Sequence, residues 1–295
     1  MAVVTTGFFD GVHLGHRHVL SDLVAAARER GESSVVATFW PHPRTILQDG
    51  ARELRLLSSL DEKKELIAAC GVDRTEVIPF SKSFSALTAQ EYIDHVLKAQ
   101  LGASAILLGY DNRLGSDRKT PDQIAEIAQS LGLEVIRPSA VSSGEVPISS
   151  TRIRNAVAEG RVEDAAEMLG RHYGLTGVVV AGNRLGRTIG FPTANMQLYE
   201  PLKLLPKGGV YHVGVEVQGR RYEGMCNIGR RPTVSSGEAL AIETNIFGFD
   251  EEIYGLPISV SFLSRIRDER RFGSLDELKA QLQADRSRCL FSAEK

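Results

Sequence analysis

Two histidines separated by one leucine and one glycine stand in the run Gly7-Phe-Phe-Asp10-Gly11-Val-His13-Leu-Gly15-His16. Imidazoles spaced in this way can converge on the oxygens of one phosphate group. Gly7, Gly11 and Gly15 let backbone amides approach the same group closely. The run follows a β-branched segment at 3–6 and leads into a helical pattern, so it sits at a strand-to-helix junction. In open α/β sheets, ligands bind beyond the carboxyl ends of the strands. A helix N-terminus placed there offers unpaired amides and the positive end of its dipole. A lone histidine is more often an ordinary surface residue, but the pair in this glycine frame argues for phosphate. A metal centre is not implied, because no third ligand follows at local spacing.

A second constellation reads Gly182-Asn-Arg-Leu-Gly186-Arg187-Thr188-Ile-Gly190-Phe191-Pro192-Thr193-Ala-Asn195. Glycines four residues apart after a strand could hug a phosphate, with Arg187 and Thr188 as donors. The segment lacks the Gly-Lys-Ser/Thr ending of a P-loop, and on spacing alone a glycine hairpin without ligand is the commoner outcome. Thr193 and Asn195 then present an oxygen pair on one face of an extended segment. Hard oxygens of that kind suit Mg²⁺ better than a soft metal. A third segment, Ile148-Ser149-Ser150-Thr151-Arg152-Ile-Arg154, gathers hydroxyls and amides at a helix start. Either arginine could bring a fixed positive charge to a triphosphate, while helix capping alone would also explain Ser-Ser-Thr.

The elements that must position these residues differ between the two halves. From 2 to 140, short β-branched runs (3–6, 34–39, 76–80, 104–108 and 134–137) alternate with amphipathic helical segments. Ser59…Glu62, Thr88…Glu91 and Thr120…Gln123 each place a hydroxyl three residues before an acid or amide, the mark of a capped helix start. Such alternation implies a Rossmann-like parallel sheet covered on both faces. Beyond Gly170 glycines become dense and strand-like runs (175–180, 210–218, 221–228 and 258–263) follow without helices between them, which suggests an antiparallel barrel or sandwich. A last helix starts at Ser274-Leu-Asp-Glu277. The segment 154–169 reads as a helical connector, so the expected domains are 1–169 and 170–295.

Composition narrows the function classes. The chain has 295 residues, 42% of them hydrophobic and 24% charged, with a mean hydropathy of −0.12. Two cores are affordable on that length. A formal charge of −2 argues against a general polyanion-binding surface, so nucleic acid is not an expected partner. No apolar run approaches a membrane span, and the N-terminus lacks the basic region of a signal peptide. Cys70, Cys226 and Cys289 fit no metal spacing and suit a reducing compartment. A cytoplasmic enzyme is expected; the oligomeric state is not legible.

The motif at 7–16 resembles that of the HxGH nucleotidyltransferases, and more closely their bacterial FAD synthetase branch. Thr38-Phe-Trp-Pro-His42-Pro43 and the Ser149–Ser150–Thr151 segment extend the likeness. From Gly182 to Asn195 the chain resembles the riboflavin kinase signature, and the likeness continues through Gly209-Val-Tyr211, Asn227…Thr233, Glu243…Asp250 and Arg271-Phe272. The whole is similar to the bacterial bifunctional riboflavin kinase/FAD synthetase family. That resemblance implies a six-stranded-type antiparallel barrel closed by a terminal helix in the second half. It also implies that riboflavin is phosphorylated to FMN and FMN adenylylated to FAD, with ATP and Mg²⁺ in both steps.

By the same resemblance, Glu243 is the general base of the kinase, with Arg187 countering phosphate charge. Thr193 and Asn195 hold the metal, and Gly182, Gly186, Thr188 and Gly190 line the nucleotide. In the first half, His13 and His16 contact the ATP phosphates. Gly7, Asp10, Gly15, Asp111, Ser149, Ser150, Thr151 and Arg154 complete that site. Asn112 and Leu114 stand where relatives carry two aromatic rings, and Asn245 and Gly248 where they often carry His and Asp. A second reading is therefore a riboflavin kinase joined to a weakened adenylyltransferase, and a third a flavin carrier without turnover.

Overall fold

The computed structural model describes residues 1–47, 54–109, 112–139, 148–182, 185–233 and 237–293. The chain divides into two compact units, Met1–Ser150 and Thr151–Lys295. In the first, β1 (Ala2–Thr6), β2 (Ser33–Trp40), β3 (Arg74–Pro79), β4 (Ala103–Leu107) and β5 (Glu134–Ile136) form one sheet in the order β3-β2-β1-β4-β5. Every pairing in it is parallel. These are the five strands expected from the sequence. Every residue of β1 is buried, as a strand covered on both faces must be. Val3 packs with Leu20, Leu23 and Ile67 on one face, and Val4 with Ile93, Leu97 and Ile124 on the other.

The first face is covered by α1 (Leu14–Arg30) and α3 (Leu60–Ala68), the second by α5 (Ala89–Glu91) and α6 (Pro121–Ser130). α5 runs on in π-helical geometry over Tyr92–Gln100. Short helices α2 (Pro43–Leu47) and α4 (Lys82–Ser85) follow β2 and β3. The three capping boxes expected in this half are present, at Ser59/Glu62, Thr88/Glu91 and Thr120/Gln123, whereas at the fourth expected start Glu277 donates its amide to Ser274 Oγ but its carboxylate accepts from Gly273 N. The strand order reverses direction between β1 and β4, and the loop after β1 therefore opens at the switch point where such sheets bind ligands.

The second unit begins with α7 (Ser150–Glu159) and α8 (Val162–Leu169). These helices pack on the barrel that follows: Lys207 donates its amide to Val157 O at 3.2 Å, and Arg265 its amide to Glu163 Oε1 at 3.0 Å. By contacts the two units divide at Ser150/Thr151. The barrel comprises β6 (Tyr173–Val180), β7 (Ala194–Leu198), β8 (Gly209–Val217), β9 (Arg220–Thr233), β10 (Gly237–Ile246) and β11 (Pro257–Arg267). It closes in the order β10-β7-β6-β11-β8-β9, antiparallel throughout.

A one-turn helix α9 (Leu185–Thr188) joins β6 to β7, and α10 (Leu275–Ala293) follows the barrel. Arg267 on β11 grips Asp285 of α10 with two nitrogens, Nη2 reaching Oδ2 at 2.8 Å and Nε reaching Oδ1 and Oδ2 at 3.1 and 3.0 Å. Asp285 is buried, so the pair is sheltered from solvent and ties the helix to the barrel. Cys226 and Cys289 are buried free thiols and Cys70 is half-buried; burial pushes the Cys226 thiol up to about 12. Among the described residues no helix is long and apolar enough to cross a membrane.

Candidate active sites

In the first unit the run after β1 forms a loop pinned from several sides. Phe9 (φ 53°), Gly11 (φ 78°) and Val12 (φ 38°) adopt left-handed backbone. For a β-branched or bulky residue this costs about 1–3 kcal/mol and persists only where surroundings enforce it. Asp10, buried, supplies much of the enforcement. Its carboxylate accepts from the amides of Leu57 at 3.0 Å and Ser58 at 3.1 Å, and Ser58 Oγ in turn accepts from Gly11 N at 3.0 Å. Ser150 Oγ donates to Asp10 O at 3.0 Å, which brings the serine segment to the loop. Gly7 closes the first bend by donating to Ala37 O at 3.1 Å.

His13 is the N-cap of α1, its Nδ1 accepting from His16 N at 3.2 Å. In the neutral ring this places the proton on Nε2. Gly15 lies in the first helical turn, and a Cβ there would press on the His13 ring at 3.3 Å. The His16 ring stacks on His13, centroids 3.6 Å apart and planes 17° from parallel, and meets Phe9 edge-on at 5.1 Å. Burial, followed by the nearby His13 and Lys63, holds the His16 imidazole well below its ordinary pKa, so it is neutral at pH 7. Its Nδ1 is buried without a hydrogen-bond partner among the described residues. Thr151 and Arg154 lie on α7, exposed and half-buried respectively, and Ser149 is half-buried just before it. Asp111 lies outside the described residues.

Beside this loop, at the carboxyl ends of β2 and β3, a cavity of about 630 Å³ is lined by Phe39, Phe80, Phe84, Tyr92 and Leu114. Its rings contact one another with centroids 5.6 to 6.2 Å apart. Asn112 donates to Thr6 O at 3.3 Å, while Leu114 is buried. The aromatic wall therefore comes from residues that the motif reading passed over, although Phe80-Ser-Lys-Ser-Phe84 shows two rings one helical turn apart. Lys63 was also passed over, within an apparent charge run. It is 1% exposed, on the same helical face as Ile67.

In the barrel, Glu243 of β10 is flanked in register by Asn195 of β7 and Asn227 of β9. Glu243 and Asn227 line a cavity of about 240 Å³ with Phe191, Met225, Phe272 and Leu282. Thr193 lines this cavity and also a smaller one of about 60 Å³ that includes Arg187, Phe249 and Tyr254. Asn195 is buried behind them. A Cβ at Gly182 would overlap the Asn195 carboxamide, so any larger residue there would have to displace that side chain. Gly186 lines the larger cavity, Thr188 ends α9, and Gly190 turns the chain with φ 84°. Asn245 donates from Nδ2 to Pro192 O at 2.6 Å, so the residue that replaces histidine fixes the segment carrying Thr193. Gly248 adopts φ 67°, a conformation glycine takes without strain.

A pinned loop at the switch point of a doubly wound sheet, joined to a closed barrel in which one threonine separates two cavities, defines a two-domain transferase acting on nucleotides. Residues 1–152 match the FAD synthetase family, and residues 169–291 the riboflavin kinase family. The chain is 37% identical over 285 residues to the bifunctional riboflavin kinase/FMN adenylyltransferase of Listeria monocytogenes, covering 96% of this chain and 90% of that one. The enzyme of the same description from Escherichia coli strain K12 is 38% identical with the same coverage. A solved structure described as a macrolide-efflux protein from Streptococcus pneumoniae superposes with TM-score 0.88 at 38% identity, covering 97% of this chain and 93% of that one. The chain belongs to the bifunctional riboflavin kinase/FMN adenylyltransferase family.

Proposed function

We propose that the two units perform successive steps of flavin cofactor synthesis. The barrel transfers the terminal phosphoryl group of ATP to the end hydroxyl of riboflavin's ribityl chain, giving FMN and ADP. The α/β unit then joins the phosphate of FMN to the α-phosphorus of a second ATP, giving FAD and pyrophosphate. The observation that carries the kinase step is Thr193, which stands on the wall of both barrel cavities. The smaller cavity takes the nucleotide, with Arg187 to counter phosphate charge, and the larger, apolar one takes the flavin. Glu243 faces the larger cavity and accepts the proton of the attacking hydroxyl. The Thr193 hydroxyl and Asn195 carboxamide are hard oxygen donors that fit Mg²⁺; when bound, the ion neutralises charge on the transferring phosphate.

For adenylyl transfer the residues align two phosphates and stabilise charge, without a covalent enzyme intermediate. His13 presents an Nε2 proton, and neutral His16 is held in place by stacking. Asp10 acts by shaping the loop, since its carboxylate is engaged by Leu57 and Ser58. Ser149 and Ser150 complete the phosphate side within the first unit, and the aromatic cavity takes the flavin ring. That wall of rings answers the loss of aromatic residues at 112 and 114, so a kinase with an idle first unit is not favoured. The free thiols Cys70, Cys226 and Cys289 suit a reducing cytoplasm.

The division of labour is tested with two variants. Glu243→Gln is expected to slow FMN formation by about 10²–10⁴-fold yet to make FAD from supplied FMN at the parental rate. His16→Ala is expected to show the reverse. Loss of both activities in either soluble, folded variant contradicts the assignment.

A further inference from the structure

Lys63 has no part in the reading above, and its surroundings are unusual for a lysine. It sits in α3 with 1% of its surface exposed, and its ammonium donates to Phe8 O at 3.1 Å, Thr38 Oγ1 at 3.1 Å and Phe39 O at 3.5 Å. All three acceptors are neutral. The Nζ also lies 3.9 Å from the centre of the Phe8 ring, whose centroid is 4.1 Å from that of the His42 ring. Burying an ammonium without a carboxylate in contact is costly, and a core position of α3 could hold an apolar residue instead. The nearest acid, Asp10, is engaged by the Leu57 and Ser58 amides, so the positive charge is not cancelled by a direct ion pair. Phe8 opens the strained stretch Phe9–Val12, and its carbonyl is the point at which Lys63 grips that stretch.

We propose that Lys63 is a positioning residue for adenylyl transfer, its ammonium fixing the Phe8 carbonyl and setting a positive charge at neutral pH behind the loop that meets the triphosphate. The inference rests on the reading of the first unit as the adenylyltransferase. The charge has two consequences there. It draws anionic substrate toward a loop in which His16 is neutral, and it helps keep that ring neutral, since the Lys63 charge lowers its proton affinity. Among the described residues the titratable groups around the ammonium are Asp10 from the loop and His16 from α1, with His42 against the same Phe8 ring. Burial lowers the lysine itself to about 8, with Asp10 opposing the shift. His16 titrates on the acid side, so the alkaline window belongs to Lys63.

The test follows both activities of the full chain against pH, with the kinase as internal control. In the parental protein, kcat/KM for ATP in FAD formation from supplied FMN is expected to fall roughly tenfold or more between about pH 8 and about pH 9.5, as the lysine loses its proton. FMN formation by the barrel is expected to stay level over the same range. In Lys63→Met, FAD formation is expected to be lower by about ten- to a hundredfold at neutral pH, to lose the alkaline decline, and to leave the kinase unchanged. A level parental profile, or a methionine variant with parental adenylyl transfer, overturns the proposal. Should that variant fail to fold, the parental profile decides alone. A parental chain that makes no FAD at any pH refutes the underlying reading of the first unit, a result distinct from either of these.

Discussion

Replacing Lys63 with methionine should change stability in a pH-dependent way whose sign opposes the change in activity. The folded-state pKa of the lysine is about 8, against an ordinary value of 10.5, and burial is the main cause. Between those two values the unfolded chain binds more protons than the folded one, so stability rises with pH. The contribution is fully present above 10.5 and lost as pH falls through about 8. Over the whole window it amounts to roughly 3 kcal/mol, and between about pH 7.5 and about pH 9.5 to about 2 kcal/mol. Methionine has no such term. The assay is urea unfolding followed by tryptophan fluorescence. Trp40 is the single tryptophan of the chain and lies at the end of β2, so it reports the first unit. The stability of the parental protein minus that of the variant should grow by that amount across the pH range. A difference that stays constant refutes the argument that Lys63 is buried as a strained cation. Growth of the difference alongside falling FAD synthesis would also show that unfolding is not the cause of the activity loss.

Other consequences are open to direct measurement. A fragment beginning at Thr151 should fold and phosphorylate riboflavin. One beginning at Gly170 should be markedly less stable, because Val157, Val162 and Ala165 of the lost helices are buried; equal melting temperatures would contradict the packing described for α7 and α8. Asn245→Ala removes the 2.6 Å hydrogen bond to Pro192 O, which should lower the kinase kcat and stability by about 1–3 kcal/mol without affecting FAD formation from FMN. Phe84→Ala should raise KM for FMN about tenfold in adenylyl transfer and leave the kinase intact, and an unchanged KM would remove the aromatic cavity as the flavin site.

Much of the framework was legible because local signals agreed with the tertiary structure. Ser59, Thr88 and Thr120 each announce a helix start, and β-branched runs mark all five strands of the parallel sheet, most plainly the largely buried β1, β2 and β4. The barrel was less legible. β7 and β10 were not among the expected strands, because Thr193, Asn195, Glu243 and Asn245 interrupt the apolar alternation. Those polar residues belong to the candidate site, where local pattern and function compete. The histidine pair was readable from its glycine frame, but the burial that keeps His16 neutral, and the Lys63 charge that adds to it, come only with the tertiary structure. Lys63 itself was hidden in Asp61-Glu62-Lys63-Lys64-Glu65, which reads as a solvated face. Its i,i+4 relation to the buried Ile67 was the available signal. The aromatic cavity draws on β2, α4 and α5, and no local motif joins them.

The central claim is that one polypeptide carries both transfers, each in its own unit. Purified protein supplied with riboflavin, ATP and Mg²⁺, and sampled over time by chromatography, tests it most directly. FMN should appear first, and FAD should follow at its expense. Riboflavin left unconverted, or FMN that accumulates and never gives way to FAD, would contradict the account.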